Sequence, residues 1–389
     1  MLVFGSLPPA GRDLDLLANP AAARAVAQAL GGRGLVQRGE QWVLFANSTA
    51  FAVELVPAAS WRLPNDERER LFAEARPLDG YRNLAEPSPH DALLIVARRT
   101  AGRVDSKARA KIERALADDS GAWTRAEAHA DEWGARRQLD ALRSSFGHEA
   151  PPLFRRSLRA ALARVRRGRV VALSGLDGSG KSTQARLLCE ALEQLGYPAV
   201  VEWTPFAANR WLLALSDPLK LRIQRRRSTD APPVSFVARP GAARAGSGVA
   251  GGLATHAWAT VMALANGLSQ QRASLPHRLR GRVVVFDRYA LDSAVHLRYL
   301  YGESRSFGLQ NLLIRALSPS PVRSYFLDVP PETVVARKPI QYELDHVRKQ
   351  ARLYREEHER RGAHRLDGER PPDELAAEIA ADVWRALPT

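Results

Sequence analysis

The stretch from Val170 to Thr183, Val-Val-Ala-Leu-Ser-Gly-Leu-Asp-Gly-Ser-Gly-Lys-Ser-Thr, restricts what this chain can fold into more than any other. An apolar, β-prone run leads to Gly175. After four intervening residues come Gly180, Lys181 and Ser182, and then an amphipathic segment that reaches Leu195 and closes at Gly196. Strand, glycine-rich loop and helix in that order make a phosphate-binding loop. The glycines let backbone N–H groups turn inward around phosphate oxygens, and the helix N-terminus adds favourable dipole charge. Lys181 is expected to place a point charge on the β- and γ-phosphates and the Ser182 hydroxyl to ligate Mg²⁺. The loop is therefore expected to hold a nucleoside triphosphate with Mg²⁺. The expected nucleotide contacts run through Gly175, Asp177, Gly178, Ser179, Gly180, Lys181, Ser182 and Thr183.

A chain of 389 residues exceeds one ordinary core, so two or three domains are expected. Its single cysteine, Cys189, excludes an intramolecular disulfide and a four-cysteine zinc site. That residue is expected to fill space in the helix after the loop rather than to react. No run of 18 or more uncharged apolar residues appears, and the N-terminus lacks a basic region followed by an apolar one. A cytoplasmic protein without a membrane partner is the expectation. The net charge of +15 is unevenly placed: residues 1 to 150 hold 20 basic and 20 acidic side chains, which leaves 37 and 22 for residues 151 to 389. This break in composition supports two domains. The basic second part suits either an anionic partner, nucleic acid among them, or a solvated arginine-rich surface.

Taken in order, Leu2 to Phe4 leads to Gly5-Ser6, a turn, and Asp13-Leu14-Asp15-Leu16-Leu17. On a strand Asp13 and Asp15 point to one face and can hold a divalent metal. A helix from Pro20 to Leu30 follows, then strand-like runs Leu35 to Gln37, Gln41 to Phe45 and Phe51 to Val56. Glu54 in the last run is expected to complete a three-carboxylate cluster with Asp13 and Asp15. Gly5-Ser6, the Asp13/Asp15 pair and a later acidic strand position before Leu55-Val56-Pro57 and Trp61 resemble the minimal nucleotidyltransferase fold. The resemblance covers about 1 to 145 and implies an α+β domain whose three acids hold two Mg²⁺ ions carrying a nucleoside triphosphate. Only six residues separate Ser6 from Asp13, and the third acid is a glutamate. Both departures point to a degenerate site.

Residues 61 to 145 read as helices, among them Asp66 to Ala75 and Ser106 to Ala117. Pro151-Pro152 marks the boundary, and residues 151 to 167 read as a basic linker helix with Leu158, Leu162 and Val165 on one face. Beyond the loop helix comes a buried-type strand, Ala199 to Trp203, and Thr204-Pro205. Residues 217 to 252 lack periodicity and read as a loop, insertion or lid. Residues 253 to 275 are helical, and Arg282 to Phe286 is a strand ended by Asp287-Arg288-Tyr289. A strand Tyr325 to Val329, a charged helix from about Glu343 to Arg361, a strand His364 to Leu366 and a helix Pro372 to Leu387 complete the chain. Alternating strands and helices predict a doubly wound parallel sheet over 168 to 389. Ligands bind beyond the carboxyl ends of such strands, which places the loop, Thr204-Pro205, Asp287-Arg288 and Asp328 around one cleft.

Residues 168 to 389 resemble the thymidylate kinase family. The resemblance rests on Gly-Leu-Asp-Gly-Ser-Gly-Lys-Ser-Thr at 175 to 183, on Asp287-Arg288-Tyr289 with Ser293 four residues on, and on Leu327-Asp328-Val329-Pro330-Pro331-Glu332 before a helix with Arg337. It implies transfer of the γ-phosphoryl of ATP to a nucleoside monophosphate. Carried over by position, Lys181 and the loop amides hold the ATP phosphates, Ser182 binds Mg²⁺ with Asp287 nearby, and Asp177 lies near the acceptor sugar. Arg288 bridges the acceptor phosphate, and Arg337 is a lid arginine over the transferring phosphoryl. The departures concern the acceptor: Trp203-Thr204-Pro205 stands for the family's Arg-Glu-Pro, and His296-Leu297 for its tyrosine-glutamine. His296 is expected on a helix surface rather than at the acceptor.

These residues predict a P-loop kinase whose small-molecule acceptor is a nucleoside monophosphate or a related molecule, and a homodimer is compatible with the reading. Two other functions suit the same residues. One is a nucleic-acid end-processing enzyme, favoured by the arginine excess. The other is a slow ATPase switch with an N-terminal recognition domain.

Overall fold

The computed structural model describes residues 1–5, 13–46, 48–146, 168–204, 253–301, 307–337 and 343–388. Ser6, the expected linker helix 151–167, Pro205 and the aperiodic stretch 217–252 lie outside these residues. The chain divides into two compact units, one of Met1–Leu44 with Phe51–Arg156, the other of Phe45–Ala50 with Ser157–Thr389.

In the N-terminal part the elements are β1 (Leu2–Val3), β2 (Asp13–Ala18), α1 (Pro20–Gly32), β3 (Val36–Arg38), β4 (Gln41–Ala46) and β5 (Thr49–Pro57). After a 3-10 turn come α2 (Asn65–Ala73), β6 (Arg76–Pro77), β7 (Ala85–Glu86) and the helices α3 (Pro89–Thr100), α4 (Ser106–Asp118), α5 (Ala122–His129) and α6 (Arg136–Phe146). The strands form a mixed sheet in the order β3-β4-β5-β2-β1-β7-β6. Alternation with period two divides its side chains between two cores. Leu2, Phe4, Leu17 and Val56 join residues of α3 to α6, whereas Val3, Leu16, Ala18 and Leu55 pack toward α1. Helix α1 starts where Asn19 accepts a hydrogen bond from the Ala22 N–H, with proline at the first helical position.

The second unit contains β8 (Arg169–Gly175), α7 (Lys181–Gln194), β9 (Ala199–Trp203), α8 (Leu253–Leu279), β10 (Val283–Asp287), α9 (Ala290–Tyr301) and α10 (Gly308–Leu317). It ends with β11 (Arg323–Asp328), α11 (Pro331–Arg337), α12 (Leu344–Arg361), β12 (His364–Asp367) and α13 (Pro372–Ala386). Its five strands are all parallel, in the order β12-β11-β8-β10-β9. Strands buried on both faces require continuous apolar runs rather than alternation. Val170 to Leu173 and Val283 to Phe286 supply them and are essentially inaccessible to solvent. Burying each such valine or phenylalanine is worth about 1.5–3 kcal/mol. The register places the strand ends side by side: Asp287 opposite Leu173 and Trp203, Gly175 opposite Leu327, and Asp328 opposite Asp367. Because β8 stands between strands that lie on either side of it, the loop after Gly175 opens at the point where the winding direction changes.

Candidate active site at the carboxyl edge of the parallel sheet

Gly175 ends β8 with φ +146°, and a Cβ there would sit 2.6 Å from the Leu327 carbonyl oxygen, so the position requires glycine. The loop passes through Gly178 and Gly180, both at positive φ, and α7 begins at Lys181. Lys181 is buried and turns back over the loop. Its Nζ donates to the carbonyl oxygens of Gly175 at 2.9 Å and Leu176 at 2.5 Å and lies 3.5 Å from Ser179 Oγ. Burial first, and the Arg288 charge second, push its ammonium down to about 8, against Asp292, Asp287 and Asp177. An ammonium so held gains by exchanging carbonyl partners for phosphate oxygens. Thr183 and Ser182 are exposed at the helix start.

Ser182 and Asp287 meet: the Ser182 hydroxyl donates to Asp287 Oδ2. Asp287 is buried at the end of β10, and among the described residues its Oδ1 has no hydrogen-bond partner. A buried carboxylate oxygen without a donor is costly unless a cation reaches it. A hydroxyl beside a carboxylate is a hard-oxygen donor set that fits Mg²⁺.

Arg288, the next residue, has φ +80°, the left-handed region that non-glycine residues seldom occupy. Its N–H donates to the Leu173 carbonyl at 3.0 Å, and its own carbonyl accepts from Thr204 Oγ1 at 3.4 Å. The guanidinium is mostly buried and lies 3.5 Å from Asp177. Arg337, at the end of α11, donates to the Gly178 carbonyl at 3.0 Å. The structure thus gathers Lys181, Ser182, Asp287, Arg288 and Arg337 around one loop. Asp328 lies on the same edge but is committed to Arg355 at 3.0 Å and Arg365 at 2.6 Å.

Two side chains that the motif reading did not single out stand inside this group. Asp292, buried in the first turn of α9, accepts from Tyr354 Oη at 2.8 Å, from the Tyr289 N–H at 2.8 Å and from the Gly175 N–H at 3.4 Å. An aspartate three residues into a helix is a common capping signal, which hid its reach to Gly175. Tyr354, on α12, lies 62 residues further along the chain, and no local pattern announces it. His296 corrects an expectation. It sits two turns into α9, partly buried rather than on the helix surface, and its Nδ1 lies 3.0 Å from the Asp292 carbonyl oxygen. Burial drives its pKa down to about 4, so the ring is neutral near pH 7. Leu297 is fully buried and packs with Ala259, Met262 and Ile314. Cys189 is buried and its thiol is pushed up to about 12, which leaves it inert.

The N-terminal acids assemble differently from expectation. Asp15 and Glu54 are paired in register across β2 and β5, and Gly5 lies so close that a Cβ would meet Asp15 Oδ2. Burial raises the Asp15 pKa, Arg99 lowers it, and Glu54 raises it further through charge and a hydrogen bond. Arg99 holds Glu54 at 2.9 Å. Among the described residues, the groups of three ligating side chains within 4.8 Å of one another are Glu67, His129, Glu132 and Glu74, His90, Asp91. Asp13 therefore does not join Asp15 and Glu54 in a three-carboxylate cluster. A guanidinium fixed on α3 neutralises Glu54, the acid expected to face a metal. The two groups that do form surround Arg70, which pairs with Glu67 and Asp91 at 2.8 Å each, so they read as a buried ionic network.

No protein-family model matches the chain. It is 28% identical to a protein of Pyrococcus abyssi named a probable thymidylate kinase, over 172 residues that make up 44% of this chain and 70% of that protein. A protein of the same name from Pyrococcus horikoshii is 27% identical over 165 residues, 42% of this chain and 66% of that protein. A third, from Pyrobaculum aerophilum, is 26% identical over 225 residues, 56% of this chain and 97% of that protein. The chain contains a thymidylate kinase-like region. Among the described residues no helix is long and apolar enough to cross a membrane.

Proposed function

We propose that the second unit is an ATP-dependent phosphotransferase of the nucleoside monophosphate kinase type, with an acceptor other than thymidine monophosphate. One observation carries this reading: Ser182 is bonded to a buried aspartate whose second oxygen lacks a partner among the described residues, at the mouth of a glycine-rich loop. Ser182 and Asp287 would hold Mg²⁺, which when bound neutralises charge on the phosphates. The loop amides and Lys181 would bind the β- and γ-phosphates, Arg288 the acceptor phosphate, and Arg337 the transferring group. An acceptor oxygen forms a bond to the γ-phosphorus while the bond to the bridging oxygen breaks, leaving ADP. Such transfer needs positioning and charge neutralisation, which these side chains supply.

The acceptor assignment rests on what occupies the reading positions. Leu297 is buried in a core cluster where the thymidylate kinases keep glutamine, and Trp203, at 60% exposure, takes the place of an arginine. ATP consumption measured with nucleoside monophosphates, sugars and oligonucleotides tests the reading. ADP formation that depends on a small acceptor supports it. Acceptor-independent turnover would instead favour the switch, and dependence on oligonucleotide ends would favour end processing.

For residues 1–145 we carry the nucleotidyltransferase resemblance as a proposal about fold only. The Glu54–Arg99 pair speaks against metal at Asp13, Asp15 and Glu54, and for a degenerate site.

A further inference from the structure

We propose that Asp292 is a positioning residue for Arg288: its carboxylate ties the left-handed turn at Arg288 to the phosphate loop and to Tyr354, and so aims the guanidinium at the acceptor phosphate. The inference rests on the kinase reading and deepens it.

Asp292 is 3% exposed, and each of its oxygens is engaged. Oδ2 takes the Tyr289 N–H at 2.8 Å, which fixes the peptide that follows Arg288. Oδ1 takes Tyr354 Oη at 2.8 Å and the Gly175 N–H at 3.4 Å. The turn is thereby held from three sides, since the Arg288 N–H binds the Leu173 carbonyl and Thr204 reaches the Arg288 carbonyl. A non-glycine residue keeps φ near +80° only when its surroundings hold it there. A carboxylate suits the position because all three partners are donors and the residue must accept from each. An asparagine offers one acceptor oxygen and turns an N–H₂ toward a donor. The charge of Asp292 also faces Arg288, so removing it has two opposite consequences. Losing a negative charge alone would tighten an anion beside Arg288, whereas losing the turn would weaken it.

The test titrates the full chain, with Mg²⁺ and a non-hydrolysable ATP analogue bound, with a panel of nucleoside monophosphates, and takes as the phosphate-bearing probe the one that the wild-type chain binds most tightly. Asp292→Asn should weaken the probe on the order of tenfold, as expected for one charged hydrogen bond misaligned. The Kd of the ATP analogue should change by much less than that of the probe, since Asp292 reaches the loop only through the Gly175 N–H at 3.4 Å, and the loss of probe binding should add nothing to that of Arg288→Ala. Tyr354→Phe, which removes only the phenol hydroxyl, should give a smaller loss of the same kind and carries the test if Asp292→Asn does not fold. Tighter probe binding in Asp292→Asn would mean that its charge matters and its positioning does not, which overturns the proposal. So would equal weakening of probe and analogue, a loss additive with Arg288→Ala, or a wild-type chain that binds the analogue but none of the panel. A wild-type chain that does not bind the analogue would instead defeat the kinase reading itself.

Discussion

The Ser182 hydroxyl donates a hydrogen bond to the Asp287 carboxylate, joining the first turn of α7 to the end of β10 across 105 positions of sequence. The other oxygen of the same carboxylate is buried and has no partner among the described residues. Asp287→Asn should therefore leave the fold as stable as before or slightly more so, because it removes a buried charge. It should lower ATP turnover on the order of a hundredfold or more, since a correctly held cation supplies several kcal/mol to the transition state. A magnesium titration of turnover checks this, and an unchanged Mg²⁺ dependence would count against the site.

Lys181 predicts a proton signature. Its ammonium sits at about 8 in the ligand-free protein, and phosphate oxygens would raise it. Binding of ATP·Mg²⁺ above pH 8 should therefore take up a proton, and binding well below that pH should not. Calorimetric titrations in two buffers of different ionisation enthalpy measure the difference. The unfolded chain holds more protons than the native one between about 8 and 10.5, so ligand-free stability should rise with pH across that window. Lys181→Ala should abolish both the proton uptake and phosphoryl transfer while keeping the fold.

The ionic network of the first unit predicts acid lability. Glu67 accepts from Arg70 at 2.8 Å and Trp133 Nε1 at 3.0 Å and faces His129 Nδ1 at 2.9 Å. Burial opposes its ionisation, but the Arg70 and Trp133 hydrogen bonds and the Arg70 and His129 charges outweigh it and pull the pKa from 4.5 to about 2. That shift corresponds to roughly 3 kcal/mol, fully present above pH 4.5 and lost as the pH falls toward 2. In denaturant unfolding Glu67→Gln should cost about that much at pH 7 and far less at pH 3. A cost independent of pH would refute this account of the network.

Acceptor selectivity follows from Leu297 and Trp203. A site without the groups that read a base cannot discriminate by them. Thymidine monophosphate should be a poor phosphoryl acceptor, and its kcat/KM should not exceed that of other nucleoside monophosphates. Efficient and selective turnover of thymidine monophosphate would overturn the prediction.

Local patterns carry much of this protein. The glycines of the loop, the continuous apolar runs Val170 to Leu173 and Val283 to Phe286, and the aspartate that ends the second run state a buried parallel sheet and its ligand edge. A strand end, a glycine that permits a turn and a helix start are all properties of neighbouring residues, so sequence alone announces them, whereas the positive φ of Arg288 is held by tertiary contacts. What it does not hold is the pairing of residues that folding brings together. Glu54 was legible as an acid on a strand, but its neutralisation by Arg99 depends on how α3 packs on the sheet. His296 reads as a helix-surface residue because its helical phase is visible and its neighbours are not; packing against the site partly buries it and holds it neutral. Asp292 becomes more than a cap only where β8 and α12 bring the Gly175 N–H and the Tyr354 hydroxyl to its Oδ1. Which charges meet, and which are withdrawn from water, is decided by tertiary packing, because electrostatic energy depends on distance and burial rather than on residue order.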